Sequence, residues 1–207
     1  MRRAGLTIIP LALCIAGGAA PAPGERSTSN RDGSFASKRQ WFSTRLDVLE
    51  GADEALVYYA GGFGPGCLDE TRGGWCRSCD LGPTLARRDS SGGFLIVSDG
   101  GKARLSMKSG AWQLQFVEGT ADWCGVGWSG DDFRKNGDRP KACSVAADGA
   151  ALLEPGAKEG TPPRRTLPRG ERLAALDVLP TEEKQLLVKV QGVVGVMWRK
   201  DVSCGQR

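Results

Sequence analysis

The stretch FLIVSDGGKARLSMKSGAWQLQFV, residues 94–117, decides the fold class of this chain. Apolar or alternating runs at Phe94–Val97, Ala103–Met107 and Trp112–Val117 are each followed by a short polar segment that contains glycine. Runs of this length and alternation, separated by glycine turns, predict β-strands joined as hairpins. A similar run at Trp123–Trp128 extends the series, so we expect an antiparallel meander.

The composition of the 207 residues agrees with a mainly β protein. Hydrophobic residues make up 40% and charged residues 25%, as in ordinary globular proteins, while 30 Gly and 11 Pro indicate many turns. In the amino-terminal part of the chain, which contains these runs, the sequence suggests only one weak helix, at Leu81 to Arg88. The length suffices for one or two small domains.

The chain contains no histidine. Ser-His-Asp and Cys-His nucleophiles, His-ligated zinc and histidine-based pH switches are therefore excluded. Catalysis by carboxylates stays open, and adjacent carboxylates occur at Asp69-Glu70 and Asp131-Asp132. Because neighbouring residues of a strand point in different directions, we interpret both pairs as surface charges. We expect no metal and no cofactor, and the sequence favours a protein that is not an enzyme.

The amino-terminal residues have the charged, apolar and small-residue regions of a secretory signal peptide. Two arginines precede an apolar run from Leu6 to Ala16, which is too short for a bilayer that needs about 20 apolar residues. We predict a signal peptide over residues 1–19 and a secreted or periplasmic protein with no transmembrane segment after cleavage. A lipoprotein anchored through Cys14 is the alternative, although Leu13 is large for the position before such a cysteine.

The segment 20–40 is rich in serine, glycine and arginine and nearly free of apolar residues, which predicts a flexible leader. The formal net charge of the chain is only +4, and two of the positive charges lie in the predicted signal peptide. Since no basic stripe stands out in the remainder, nucleic-acid binding is disfavoured.

The carboxyl-terminal part of the chain carries a series of short passages in a recognisable order. The series begins with a strand and turn (Ser144–Gly149), a Pro/Gly loop (Leu152–Gly156) and a leucine–basic–glycine–strand passage (Leu167–Leu173). It continues with a central strand (Leu186–Val190), a tight hairpin with its return strand (Gly192–Trp198) and a closing turn (Arg199–Val202). In this order and spacing, residues 143–204 resemble a bacterial SH3-like (SH3b) module. The resemblance implies a small barrel over residues 143–207.

The same resemblance bears on two of the cysteines. In a five-strand barrel of this kind the first and last strands meet, and Cys143 and Cys204 occupy the two ends of the module. We therefore predict a disulfide between them, which in the chain-entropy model stabilises the fold by roughly 4 kcal/mol.

The other cysteines fall in a first domain, predicted over residues 41–142 and rich in Cys, Trp and Gly. Once Cys14 leaves with the signal peptide, an even number remains, which predicts three disulfides in an oxidising compartment. The pairing of the four in this domain stays open: Cys67, Cys76, Cys79 and Cys124.

One alternative for these cysteines is redox chemistry. Trp75-Cys76-Arg77-Ser78-Cys79 resembles the Trp-Cys-x-x-Cys motif of thioredoxin-like oxidoreductases, in which a helix N-terminus activates the first sulfur. Gly73-Gly74 stands where such an enzyme has a strand leading into the motif, so two structural bridges are favoured. A zinc site of four cysteines lacks the paired CxxC spacing that it needs.

The tryptophans offer a different hypothesis. Most of these rings should fill a core, but one or two exposed on a β surface would form a stacking platform for a glycan or a groove for a partner. The candidates are Trp112, Trp123, Trp128 and Trp198.

Taken together, these observations predict a mainly β chain of two small antiparallel domains held by disulfides, the second an SH3-like barrel. The resemblance implies a non-catalytic binding or targeting role in the cell envelope or extracellular space. The expected partners are a cell-wall glycan or peptide, or a secreted or envelope protein. The alternative is a thiol-disulfide oxidoreductase that uses Cys76 and Cys79.

Overall fold

The fold is known from a computed structural model, which describes residues 31–39, 42–64, 77–98, 101–119, 130–158, 160–177 and 184–205. These residues are mainly β: they contain one short 3-10 helix, Arg199–Asp201, and no α-helix. None of their helices is long and apolar enough to cross a membrane.

Eight consecutive strands form a closed antiparallel barrel. They are β1 (Gly33–Arg39), β2 (Phe42–Glu50), β3 (Glu54–Phe63), β4 (Arg77–Arg88), β5 (Phe94–Ser98), β6 (Gly101–Lys108), β7 (Ala111–Gly119) and β8 (Gly130–Lys135). Each strand pairs with the next, and β8 returns to β1 at Phe35↔Lys135 and Ala36↔Arg134. Closure leaves the barrel without an unpaired edge.

Apolar side chains fill the inside of the barrel because alternate residues of each strand point inward. On β7, Trp112 and Leu114 are fully buried, whereas Val117 is exposed. The Trp112 ring packs against Phe35 and Phe94, with ring centroids 6.4 and 6.2 Å away. The alternation seen in the sequence thus marks the inner face correctly.

Charged side chains cover the aromatic core at one end of the barrel. Three cations lie 4.5–5.1 Å above aromatic rings, in the pairs Arg31–Trp112, Arg88–Phe94 and Lys135–Phe35. The Trp112 indole N–H donates to the carbonyl of Arg31 at 3.1 Å. Glu50 pairs with Arg31 at 2.9 Å and with Arg88 at 3.0 Å, which holds two of these cations over the core.

The rest of the described chain forms two smaller sheets. A five-stranded sheet has the order β14-β13-β12-β9-β15, and a two-stranded sheet joins β10 to β11. Their strands are β9 (Lys141–Val145), β10 (Ala150–Leu152), β11 (Arg165–Leu167), β12 (Arg172–Leu176), β13 (Gln185–Val190), β14 (Val193–Trp198) and β15 (Val202–Cys204). A separate apolar cluster that includes Leu152, Leu167 and Val188 fills the inner side.

The predicted disulfide between Cys143 and Cys204 is confirmed. The two residues face each other in register on β9 and β15, with their Cα atoms 4.2 Å apart. The bridge therefore fastens the first strand of the five-stranded sheet to the last.

An apolar cluster joins the barrel to the five-stranded sheet. Leu49 and Leu56 of the barrel share it with Leu187, Val194 and Val196 of the sheet, and all five side chains are fully buried. Their positions explain why β2 and β3 are apolar on both faces: one face lines the barrel and the other meets the sheet.

Two ion pairs flank this junction. Lys189 of the sheet pairs with the fully buried carboxylate of Asp32, and its ammonium also donates to the Glu50 carbonyl at 3.0 Å. Arg164 pairs with Glu54 of the barrel.

The backbones also approach closely at the junction. The N–H of Ala52 donates to the carbonyl of Gly192 at 3.0 Å, and a Cβ on Gly51 would lie 2.6 Å from the same oxygen. Glycine at position 51 is therefore required for the contact.

Two expectations about local structure were wrong. Residues 81–88 form the end of β4 rather than a helix, because β3 satisfies their backbone and Gly82-Pro83 disfavours a helix interior. The pairing register shifts at this point, which places the proline in a bulge where it can be tolerated.

The second wrong expectation is the carboxyl-terminal end of the flexible leader, which was predicted over residues 20–40. Residues 33–39 form β1, which pairs with β2 on one side and β8 on the other. Phe35 contributes to the barrel core although it is the only large apolar residue of this strand. The signal peptide predicted over residues 1–19 and the alternative anchor Cys14 lie outside the described residues.

Candidate functional site

A shallow, open groove of about 310 Å³ lies on the outer face of the five-stranded sheet. Strands β9, β12 and β15 and the residue after β15 line it with mostly small side chains: Ala142, Cys143, Ser144, Arg172, Leu173, Ser203 and Gly205. Its volume is at the lower end of the range of small-molecule sites.

Strand register brings three polar side chains of the groove into one row. Arg172 of β12 pairs with Ser144 of β9, and Ser144 pairs on its other side with Ser203 of β15. Directly paired residues point to the same face of a sheet. Since neighbouring strands lie about 4.8 Å apart, the row from Arg172 to Ser203 spans roughly 10 Å.

The next row points to the opposite face and supports the groove from beneath. Leu173, Cys143 and Cys204 are in register with one another, and they contact the inner apolar cluster. The disulfide thus fixes the spacing of β9 and β15 under the groove. Ala142 and Gly205 leave its floor low enough for a flat group to approach the backbone.

The groove carries an exposed positive charge. Among the described residues, no carboxylate forms an ion pair with Arg172, and the neighbouring Glu171 accepts a hydrogen bond from the Gln191 amide at 2.7 Å instead. Arg199, by contrast, is engaged with both carboxylate oxygens of Asp177. The guanidinium of Arg172 is therefore available to an anionic group.

The predicted tryptophan platform does not form at the two positions that the structure describes. Trp112 is fully buried in the barrel and presents no exposed ring to a ligand. Trp198 is half-buried and packs against the cluster between barrel and sheet. Trp123 and Trp128 lie outside the described residues.

The redox alternative depends on a helix that the structure replaces by a strand. Cys79 lies in β4, and residues 77–88 are extended throughout. A thioredoxin-like thiolate depends on the positive end of a helix that starts at the motif. Of the remaining sulfurs, Cys67, Cys76 and Cys124 lie outside the described residues.

The adjacent carboxylates on β8 point to opposite faces of the strand, as strand geometry predicts. Asp132 is exposed, but Asp131 is buried, so its interpretation as a surface charge was wrong. Burial, together with the charges of Asp131 and Asp80, raises the pKa of Tyr59. The pair Asp69-Glu70 lies outside the described residues, and in the part described no cluster of three metal-ligating side chains occurs.

Sequence reasoning missed Arg172, Ser144 and Ser203. The residues are far apart in the chain, and no motif connects them. The one available signal was the SH3b resemblance, which predicts strands near Ser144 and Arg172 but gives no register between them.

Comparison with protein-family models, curated proteins and solved structures finds no match to this chain. The fold and the groove are therefore the observations from which a function can be argued.

Proposed function

We propose that this protein is a secreted, non-catalytic binding or targeting protein of the cell envelope. In this proposal, residues 141–205 are an SH3-like module that follows the barrel as a second domain and binds cell-wall glycopeptide in the groove. The single observation that carries the proposal is the row of Arg172, Ser144 and Ser203 above a floor of small side chains.

The topology of the five-stranded sheet supports the SH3-like part of the proposal. The first strand of the sheet, β9, lies beside the last, β15, as a small barrel of this kind requires. The central strand and the return strand of the resemblance coincide with β13 and β14, and its closing turn coincides with the 3-10 helix.

The size of the groove supports a glycopeptide over a folded protein partner. A volume of about 310 Å³ fits a short peptide or a few sugar units. A stable protein–protein interface buries about 800 Å² on each partner and needs a much larger continuous surface.

The position of the groove supports access by a ligand as large as a cell-wall polymer. The barrel contacts β13 and β14 at one end of the sheet, whereas β9 and β15 lie toward the other end. The described part of the barrel therefore does not cover the groove.

Co-sedimentation with purified bacterial cell-wall sacculi tests this function. Ala142→Trp places a large ring in the groove at an exposed position, and we expect it to abolish co-sedimentation of the mature protein. Ala147→Trp is the matched control, because Ala147 is also exposed but lies in the turn after β9, away from the groove. Equal binding by both variants would show that the groove is not the site. Absence of binding by the wild-type protein would overturn the glycopeptide proposal in favour of a protein partner.

A further inference from the structure

We propose that the groove anchors its ligand through a free carboxylate held by Arg172, and that the ligand chain then crosses β12, β9 and β15 toward Ser203. This inference rests on the proposed function, because it assumes that the groove is the binding site. It adds the chemical class of the ligand and the direction in which the ligand lies.

The first step concerns the polar groups of the groove, which are not used by the protein itself. Within the described residues, neither the guanidinium of Arg172 nor the hydroxyls of Ser144 and Ser203 takes part in a hydrogen bond or ion pair. Arg165 of the neighbouring sheet, by contrast, donates to the Gln191 side chain at 2.8 Å. Three unused donors in one row form a surface that can bind a polar ligand.

The second step concerns the charge that this row selects. A guanidinium presents a planar fork of N–H groups that fits both oxygens of a carboxylate. The Arg199–Asp177 pair shows this two-bond geometry just beyond the ends of β14 and β12, with one of its N–O distances at 2.5 Å. Because the row holds one guanidinium and two neutral hydroxyls, a singly charged carboxylate matches it better than a phosphate dianion.

The third step concerns length and shape. From Arg172 to Ser203 the row measures roughly 10 Å, which equals about three residues of extended peptide at 3.3 Å each. The hydroxyls of Ser144 and Ser203 can each donate to a carbonyl along that length. Ala142 and Gly205 leave room for small substituents beside the chain. The preferred ligand is therefore a short extended chain with a carboxylate at one end.

Chemical amidation of the sacculi tests the inference on the proposed ligand itself. We expect sacculi whose free carboxylates are converted to amides to bind the wild-type protein at least about tenfold more weakly. Arg172→Gln should weaken binding to untreated sacculi to the same extent and make binding insensitive to amidation. Arg172→Lys keeps the charge but loses the fork, so we expect an intermediate affinity.

Arg169→Gln is the matched control for these variants. Arg169 is an exposed arginine in the turn before β12 that does not line the groove, so its replacement should leave binding unchanged. An NMR titration with N-acetyl-trialanine, as the free acid and as the carboxamide, should shift the amide signals of Ser144 and Ser203 only with the acid.

The outcomes separate this inference from the proposed function. If Ala142→Trp abolishes binding to sacculi while amidation and Arg172→Gln have no effect, the groove binds its ligand without a carboxylate and the inference is overturned alone. If Ala142→Trp has no effect, the proposed function fails and the inference fails with it.

Discussion

Asp32 is a carboxylate that the fold buries completely. Its side chain is fully buried just before β1, and its two carboxylate oxygens have separate partners. One oxygen accepts the backbone N–H of Glu50 at 2.7 Å, and the other pairs with Lys189. A buried carboxylate is tolerated only with such partners, because leaving it unpaired in the interior is costly.

We therefore expect Lys189→Met to destabilise the protein by about 3 kcal/mol, the lower end for breaking a buried pair, because Lys189 is itself partly exposed. Urea unfolding measures the free energy. Lys102→Gln removes a cation from the exposed pair with Glu118 and should cost less than about 1 kcal/mol. The double variant Asp32→Asn/Lys189→Met should recover part of the lost stability. A double variant less stable than Lys189→Met alone would contradict the argument.

Asp47 is a second buried carboxylate, and it gives a prediction about pH. Burial raises the pKa of Asp47 above its ordinary value of 3.8, although Ser34 and Arg45 beside it act in the opposite direction. Between 3.8 and the raised pKa, the folded protein binds this proton more tightly than the unfolded chain does. The contribution of Asp47 to stability is therefore largest at low pH and falls as the pH rises through the folded-state pKa.

The variant Asp47→Asn lacks this titration, so the stability of the wild type should fall relative to that of the variant as the pH rises. We expect the unfolding free energy of the wild type minus that of the variant to decrease as the pH rises from below 3.8 through the raised folded-state pKa. Urea unfolding at a series of pH values gives both quantities. A difference that increases with pH would contradict a raised pKa.

At the scale of elements, the disulfide decides how firmly β15 is held. This strand has only three residues, and within the described chain its one strand partner is β9. The bridge closes a loop with a sequence separation of 61 residues, for which the chain-entropy model gives roughly 4 kcal/mol. We expect the double variant Cys143→Ala/Cys204→Ala to lose about that amount in urea unfolding.

Replacing both cysteines avoids a free thiol that could pair with another cysteine of the chain. Reduction of this bridge in the wild type should lower its stability by about the same amount. A double variant as stable as the wild type would show that β15 is held by its hydrogen bonds and apolar contacts alone.

The strands of residues 94–117 could be predicted from the sequence because their alternation and turns are local signals. They correspond to β5, β6 and β7. The strand at residues 33–39 could not, because only Phe35 marks it as apolar and its stability comes from pairing with β2 and β8. The helix expected at residues 81–88 failed for a related reason, since pairing with β3 outweighs a weak local preference.

The candidate site was less predictable than the strands. The disulfide followed from the expectation that first and last strands meet, which is a statement about topology. The row of Arg172, Ser144 and Ser203 depends on register, and a shift of one residue would turn Arg172 toward the core. Composition and motif spacing do not determine strand register to a single residue.

At the scale of the whole molecule, the barrel and the five-stranded sheet are joined by apolar packing as well as by ion pairs. Leu49 and Leu56 contribute to the junction from the barrel, and Val194 contributes from the sheet. Val194 belongs to this cluster rather than to the inner core of its own sheet. Because burial of this apolar surface stabilises both parts together, we expect them to unfold as one cooperative unit.

Hydrogen exchange followed by mass spectrometry in increasing urea tests this coupling. In the wild type, the most protected amides of β13 and of β5–β7 should exchange with the same free energy. Val194→Asp places an unpaired carboxylate in the junction, so the amides of β13 should lose protection while those of β5–β7 keep most of theirs. Val97→Asp is the matched control, since Val97 is 58% exposed on the barrel and should change neither set. Separate transitions for the two sets of amides in the wild type would show that the junction does not couple the barrel to the sheet.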